Sequence, residues 1–541
     1  MTGSADARHP KDRTMSLGTP PPPESSRRRF PRPRRRWLRR LLLVAVIASL
    51  VIGAAIAGTG AWLYSRARTD TVGDLTFEQP LHIPPVLEPE TDADGRKVFR
   101  LRLQTGTTEL VPGRQTETWG ANGTYLGPTL RASRGDEVAV HVDNDLPEST
   151  TLHWHGMHLP AAADGNPHQP IEPGATWTPS WEIDQPAATL WYHPHPHGET
   201  ADHIYRGVAG LFLLDDESPP PGLPDEYGIN DIPVILQDKR FHGDGSLDMG
   251  EPLFSNVGQL GDHILVNGTS NPHVEITHER VRLRVLNASN GRVYNLGFDD
   301  DRSFELVGSD GGLLPQAHTT NRVQVSPGER VEIVARFRPG ERPVLRSYPP
   351  ELGADSFGGR FAGGDDRFDL LEMRAAAQLS PSAQLPEQLG TDDLPDASEA
   401  VTTRTFELNG SSRINGDTMD MNRIDTVVAV DTTEIWEVTN QSGRPHNFHV
   451  HDVQFRVLEH DGAPPPPELA GPKDTVFLPP RTTARLALRF EDYTDPTVPY
   501  MYHCHLLAHE DAGMMGQFTV VDADEVDTAP RSVRAEGRHE H

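Results

Sequence analysis

Three short segments of the chain follow the same alternation and stop on an asparagine: VAVHVDN ends at Asn144, VRLRVLN at Asn287 and IWEVTN at Asn440. Val138, Val140 and Val142 take every second position in the first, and Val281, Leu283 and Val285 do so in the second. Trp436 and Val438 hold the matching places in the third, looser copy. Alternate residues of a strand point the same way, so each segment turns one face to a core. The asparagines stand 143 and 153 residues apart, which predicts three copies of one β domain.

Glycine (48) and proline (49) are abundant, aromatic residues are few, and no stretch beyond residue 70 keeps a 3.6-residue apolar period. The expected fold is therefore all-β. The copies are expected over residues 75–217, 226–375 and 401–525. DDESPPPGLPDEYG (215–228) separates the first two, and a polar, proline-containing linker (376–400) separates the last two. The ends, 1–40 and 526–541, have the composition of disordered segments.

The N-terminus carries SSRRRFPRPRRRWLRR and then Leu41–Tyr64, 24 residues without a charge. This length crosses a bilayer, with the arginines on the cytoplasmic side and the bulk of the chain exported. Ala55-Ile56-Ala57 resembles a signal-peptidase site and Ser26–Phe30 a twin-arginine signal. The Pro- and Arg-rich spacer between that signal and the apolar run favours an uncleaved anchor. Residues 1–40 hold 12 basic and 3 acidic side chains, and the remainder 38 and 75. An acidic surface of that kind argues against a nucleic-acid partner. The one cysteine, Cys504, excludes an intramolecular disulfide. A free thiol outside the cell is exposed to oxidation, so its position calls for a chemical reason.

Four clusters surround that question: LHWHGMH (His153, His155), WYHPHPHG (His193, His195, His197), PHNFHVHD (His446, His449, His451) and YHCHLLAHEDAGM (His503, Cys504, His505, His509). Each contains His-x-His, which on a strand brings two imidazoles to one metal; imidazole suits copper, zinc, iron and nickel alike. In HCH the alternation sends His503 and His505 to one side and Cys504 to the other, so the thiolate belongs to a second site. Thiolate, two imidazoles and a weak axial methionine form the ligand set of a blue-copper centre, for which His509 and Met514 are the local candidates. Electrons entering there pass through Cys504 and its neighbours to a multi-histidine cluster, with dioxygen as the expected acceptor. The clusters follow Asn144 and Asn440, whereas the corresponding place after Asn287 reads VYNLGF. The middle copy therefore reads as a separator.

With all four motifs in this order, residues 75–525 resemble a three-domain multicopper oxidase, in the group of bacterial laccases, bilirubin oxidases and cuprous oxidases. The resemblance implies three cupredoxin-like Greek-key β-barrel domains and four coppers per chain. It implies His446, Cys504, His509 and Met514 for the type 1 copper and His153 and His449 for the type 2 copper. His155, His193, His195, His451, His503 and His505 would hold the type 3 pair. The aromatic pair Trp191-Tyr192 selects His193 and His195 over His197, which is left exposed or supporting, and spacing selects Met514 over Met515. Glu510 and Asp164 match positions where related enzymes keep an acid that relays protons, the plainer role being support of the ligands. His158, His168 and His203 are expected to be solvent-facing or structural.

The thioether ligand points to a low-to-medium potential, and hence to an easily oxidised organic donor, a phenol or aromatic amine. Cuprous oxidases carry a methionine-rich insert and an Asp/Met pair before the third motif. Here Ser442-Gly443-Arg444-Pro445 stands there, and Met419 and Met421 are the nearest thing to an insert. A copper-binding electron carrier or an envelope scaffold without turnover is the reading of another class, which the full ligand set opposes. The expected partners are a small-molecule donor, dioxygen and the membrane, with no protein partner evident.

Overall fold

The computed structural model describes residues 35–533. Most of the basic segment expected over 1–40 and the last residues of the tail lie outside that range. Arg35–Arg66 is one helix of 32 residues; its apolar span, with a mean hydropathy of 2.7, is long and apolar enough to cross a membrane.

From residue 63 onward the chain is mostly strand, arranged as six sheets around three cores. The three repeat segments become the strands Glu137–Asp145, Arg280–Asn287 and Thr432–Asn440. Each pairs in parallel with an earlier strand: Lys97–Val111, Asp231–Lys239 and Ala400–Asn409 respectively. On the other side each has antiparallel partners, among them Arg330–Arg336 and Thr483–Phe490. The second sheet of each copy also contains parallel pairing, such as Leu130–Ser133 with Gly210–Asp215. Parallel neighbours cannot be joined by a tight hairpin, so the chain crosses between the two sheets of each barrel.

The terminal asparagines make that crossing. Asn144 is fully buried; its side-chain amide donates to the carbonyls of Glu148 and Ile171, and its oxygen accepts the Leu146 N–H. Asn287 does the same with Arg292, Val325 and Ser289, and Asn440 with Arg444, Leu478 and Ser442. The amide offers the backbone partners that a continuing ladder would have offered, ending the strand and tying its exit loop to the opposite sheet. In the first and third copies that loop leads into His153 and His446.

Contacts reach across three of the expected boundaries. Gln79–Pro80 pairs with Pro272–His278, and Leu81 lies in the second core, so the chain passes along the middle copy before entering the first. The linker from 376 continues a strand to Ser380, and its Leu385 and Leu389 pack against Leu223, Val307 and Val334. The tail expected to be disordered from 526 is seated as far as 533, with Val526, Ala529 and Val533 against Ile424, Val427 and Val521. In each case a few isolated apolar residues in a polar stretch find a partner that composition does not show.

Candidate metal centre

The first two histidine clusters are neighbouring strands. His153–His155 runs antiparallel to Thr189–His193, with His193 opposite His153 and Trp191 opposite His155. The last two pair likewise, His449 opposite His503. The strand reading of His-x-His holds fully for His153 and His155. In the second and fourth clusters the strand ends on the first histidine, and in the third one residue past His449, so His195, His451 and His505 sit in the loops beyond.

All eight of these histidines are buried, and most have one ring nitrogen anchored. His153 and His449 direct Nδ1 to the backbone carbonyls of Asp164 and Asp474, both at 2.9 Å, and His193 directs Nδ1 to the Pro194 carbonyl at 2.9 Å. His451 Nδ1 meets the Asp164 carboxylate at 2.9 Å, and His503 Nδ1 lies 3.1 Å from Glu510, whose other oxygen is 3.5 Å from His195 Nδ1. His155 is reversed, giving Nε2 to Asp474 at 3.1 Å. A carbonyl or carboxylate can only accept, so each anchored nitrogen carries the proton and the other bears a lone pair.

Those lone pairs face one another. His503 Nε2 is 3.1 Å from His195 Nε2 and 3.2 Å from His451 Nε2, and His155 Nδ1 is 3.3 Å from His193 Nε2. Nε2 of His153 and of His449, and both nitrogens of His505, are buried without a hydrogen-bond partner. The His505 ring stands beside those of His155 and His193, at centroid distances of 4.9 and 5.3 Å. Burial lowers the pKa of His195 to about 3 and of His505 to about 4, keeping the neutral, ligating form. Lone pairs this close repel unless a cation lies among them, so the arrangement fits bound metal. Gly328, at φ +84, packs its backbone on His505; a Cβ there would come within 3.0 Å of the ring.

Cys504 faces elsewhere, as the alternation predicts. Its Sγ is 3.4 Å from His446 Nδ1 and 3.7 Å from His509 Nδ1, and those nitrogens are 3.1 Å apart. Donors about 2.0–2.3 Å from a common ion in a trigonal plane stand roughly 3–4 Å apart, so the triangle fits a single ion. The outer nitrogens are held by Ser442 Oγ and the Asn256 carbonyl, both at 2.9 Å. Burial pushes the Cys504 thiol up to about 12, so a cation must replace its proton for the thiolate to form. Met514 is buried in the same core; its N–H donates to the His509 carbonyl, and its own carbonyl accepts the Cys504 N–H.

Several residues here had no motif to announce them. Asp474 touches His155 through its carboxylate and His449 through its carbonyl, and Arg330 of the middle copy pairs with it. Asn447 accepts the His505 N–H at 2.6 Å, lies 3.6 Å from Cys504 Sγ and donates to the Pro327 carbonyl. The middle copy, expected only to separate, thus supplies Arg330, Gly328 and the Asn256 carbonyl to the site walls. Of the remaining histidines, His197 is exposed, His168 meets Gln517, and buried His203 bonds Thr150. His158 bridges to Asp452 and Asp492. Met419, Met501 and Met515, with Met421 against them, form a cluster that sequence spacing concealed.

Comparison with known proteins agrees with this geometry. Residues 102–219 and 391–524 each match a family model described as multicopper oxidase. The chain is 37% identical over 445 residues to the multicopper oxidase mco of Staphylococcus haemolyticus, covering 81% of this chain and 92% of that protein. It is 35% identical over 452 residues to the cell division protein FtsP of Escherichia coli, with 82% and 93% covered. A solved laccase-like multicopper oxidase, CueO from Ochrobactrum sp., superposes with a TM-score of 0.74 at 36% identity, over 82% of this chain and all of that one. Its structure is described together with oxidase activity towards lignin model compounds and lignosulfonate. Paired histidine strands, a buried thiol between two imidazoles and relatives matched over nearly their whole length lead to one assignment: the chain belongs to the multicopper oxidase family, copper-dependent oxidoreductases with oxygen as acceptor.

Proposed function

We propose that the protein is a laccase-like oxidase that takes single electrons from a phenol- or aromatic-amine-like donor and delivers four of them to dioxygen, forming water. His446, Cys504, His509 and Met514 would hold the type 1 copper, and His153 and His449 the type 2 copper. The type 3 pair would fall to His155, His193, His195, His451, His503 and His505. Bound copper supplies the one-electron steps and the reduction of oxygen. The observation that carries the reading is at Cys504, whose side chain faces one donor set while His503 and His505, one peptide bond away on either side, face the other. Asp164 and Glu510 fix the proton positions of His451 and His503, and as buried carboxyls beside the cluster they would carry the protons that water formation consumes. The apolar helix would anchor the chain, with residues 67–541 outside the cytoplasm.

The test is Cys504→Ser in the copper-loaded protein. Blue absorption and turnover are expected to vanish while the cluster coppers remain; surviving blue colour would overturn the ligand assignment. One observation favours a second reading, Cu(I) oxidation: the clustered thioethers of Met419, Met421, Met501 and Met515 are soft ligands of the kind Cu(I) prefers. Turnover compared on a phenol, bilirubin and Cu(I) separates the two.

A further inference from the structure

The loop Pro252–Gly258 covers the type 1 side of the molecule. Gly258 lies directly on the segment that carries His509: at φ +89, a Cβ there would come within 2.4 Å of the Ala508 Cβ. Val257 is buried in the third core, and the Asn256 carbonyl accepts the His509 Nε2 proton. Two residues earlier the character reverses. Leu253 is 62% and Phe254 53% exposed, and Phe254 takes φ +67, a conformation costly for a bulky residue. Strain that keeps an aromatic ring in the open calls for something that receives the ring.

The ring is not isolated. Phe254 makes edge contacts with Phe357 (6.1 Å) and Phe361 (5.3 Å), and Phe357 is itself 55% exposed. Phe357 and Phe361 also meet Tyr64, at 6.3 and 6.4 Å. Arg360 lies over the Tyr64 ring at 4.4 Å and donates to its carbonyl at 2.7 Å. Tyr64 is two residues from the end of the apolar helix at Arg66. A helix that crosses a bilayer brings Tyr64 out at the lipid surface, where tyrosine is at home, and chain connectivity brings the aromatic patch with it.

We propose that Leu253, Phe254 and Phe357 seat in the lipid interface, and that the physiological donor is a hydroquinone dissolved in that bilayer. This rests on the oxidase reading above. Exposed apolar patches mark interaction surfaces, and this one lies a single loop away from His509. The stoichiometry closes. Two hydroquinones each lose two electrons and two protons to become quinones, and one dioxygen takes the four electrons and four protons to become two waters.

The experiment uses the full chain in phosphatidylcholine–phosphatidylglycerol vesicles. A nitroxide is placed on Leu253→Cys and, as a control, on Val401→Cys, which is 66% exposed in the third copy. Cys504 is buried and does not compete for the label. The label at 253 is expected to collide more with oxygen and less with a water-soluble nickel chelate, and the label at 401 the reverse. A label at 253 as open to nickel as that at 401 overturns the surface. The donor arm compares a decyl-tailed with a sulfonated hydroquinone. Phe357→Ser is expected to shift the ratio of their kcat/KM roughly tenfold against the decyl donor, and an unmoved ratio overturns the donor assignment. A label in lipid with neither hydroquinone oxidised keeps the surface and removes the oxidase reading with its donor.

Discussion

His158 is one of the residues that join two of the copies by charge. Its Nδ1 is 2.8 Å from Asp452 and its Nε2 3.2 Å from Asp492, while Tyr493 packs on the ring. Burial opposes its protonation, but the two carboxylates outweigh burial and raise its pKa to about 9. An ordinary histidine titrates near 6.5, so the folded state holds this proton more tightly than the unfolded chain. The stabilisation is fully present below about pH 6.5 and is lost as pH rises through about 9, and its size is about 1–3 kcal/mol. His158→Gln should therefore lower the unfolding midpoint at pH 6 and have little effect at pH 10. An equal loss at both values would contradict the ion-pair account. His158 also marks what could be read in advance. The candidate metal donors are legible because ligation needs rare residue types at fixed spacing, and HCH even separates its two donor sets by parity. Asp474, Arg330 and Asn447 are common residues placed by contacts between copies, and nothing local to them marks that place.

At the level of elements, the terminal asparagine is the device the three copies share. Asn287 belongs to the copy that holds none of the candidate metal donors, so its replacement tests the fold apart from the chemistry. Asn287→Ala leaves the carbonyls of Arg292 and Val325 and the Ser289 N–H without their partners in a buried turn. Unpaired buried groups cost about 1–3 kcal/mol each, and partial relaxation makes a loss of about 2–4 kcal/mol reasonable. Urea unfolding of the variant measures it, and a loss below about 0.5 kcal/mol would show the motif to be incidental. The repeated strands were legible because alternation and a terminal asparagine are local patterns. Their parallel partners were not, because strand order depends on loop crossings that leave no periodic trace, and Gln79–Pro80 joins the middle copy by such a crossing.

Across the whole molecule, three copies of one fold have come to carry different duties. The first and third face their histidine pairs toward each other. The middle copy contributes none of the candidate donors, yet it grips Asp474 through Arg330, walls His505 with Gly328 and covers His509 with Asn256. A chain with a single cysteine gains no disulfide to hold this arrangement, and the three buried cores with their inter-copy ion pairs do so instead. The central claim is that these copies bring together a one-electron site and an oxygen-reducing cluster in one polypeptide. An anaerobic reductive titration of the copper-loaded full chain, followed by a measured pulse of dioxygen, tests it most directly. The account predicts uptake of four electrons per chain and their return to one dioxygen, with the blue absorption bleached and then restored. Uptake of one electron per chain with no oxygen consumed would contradict it.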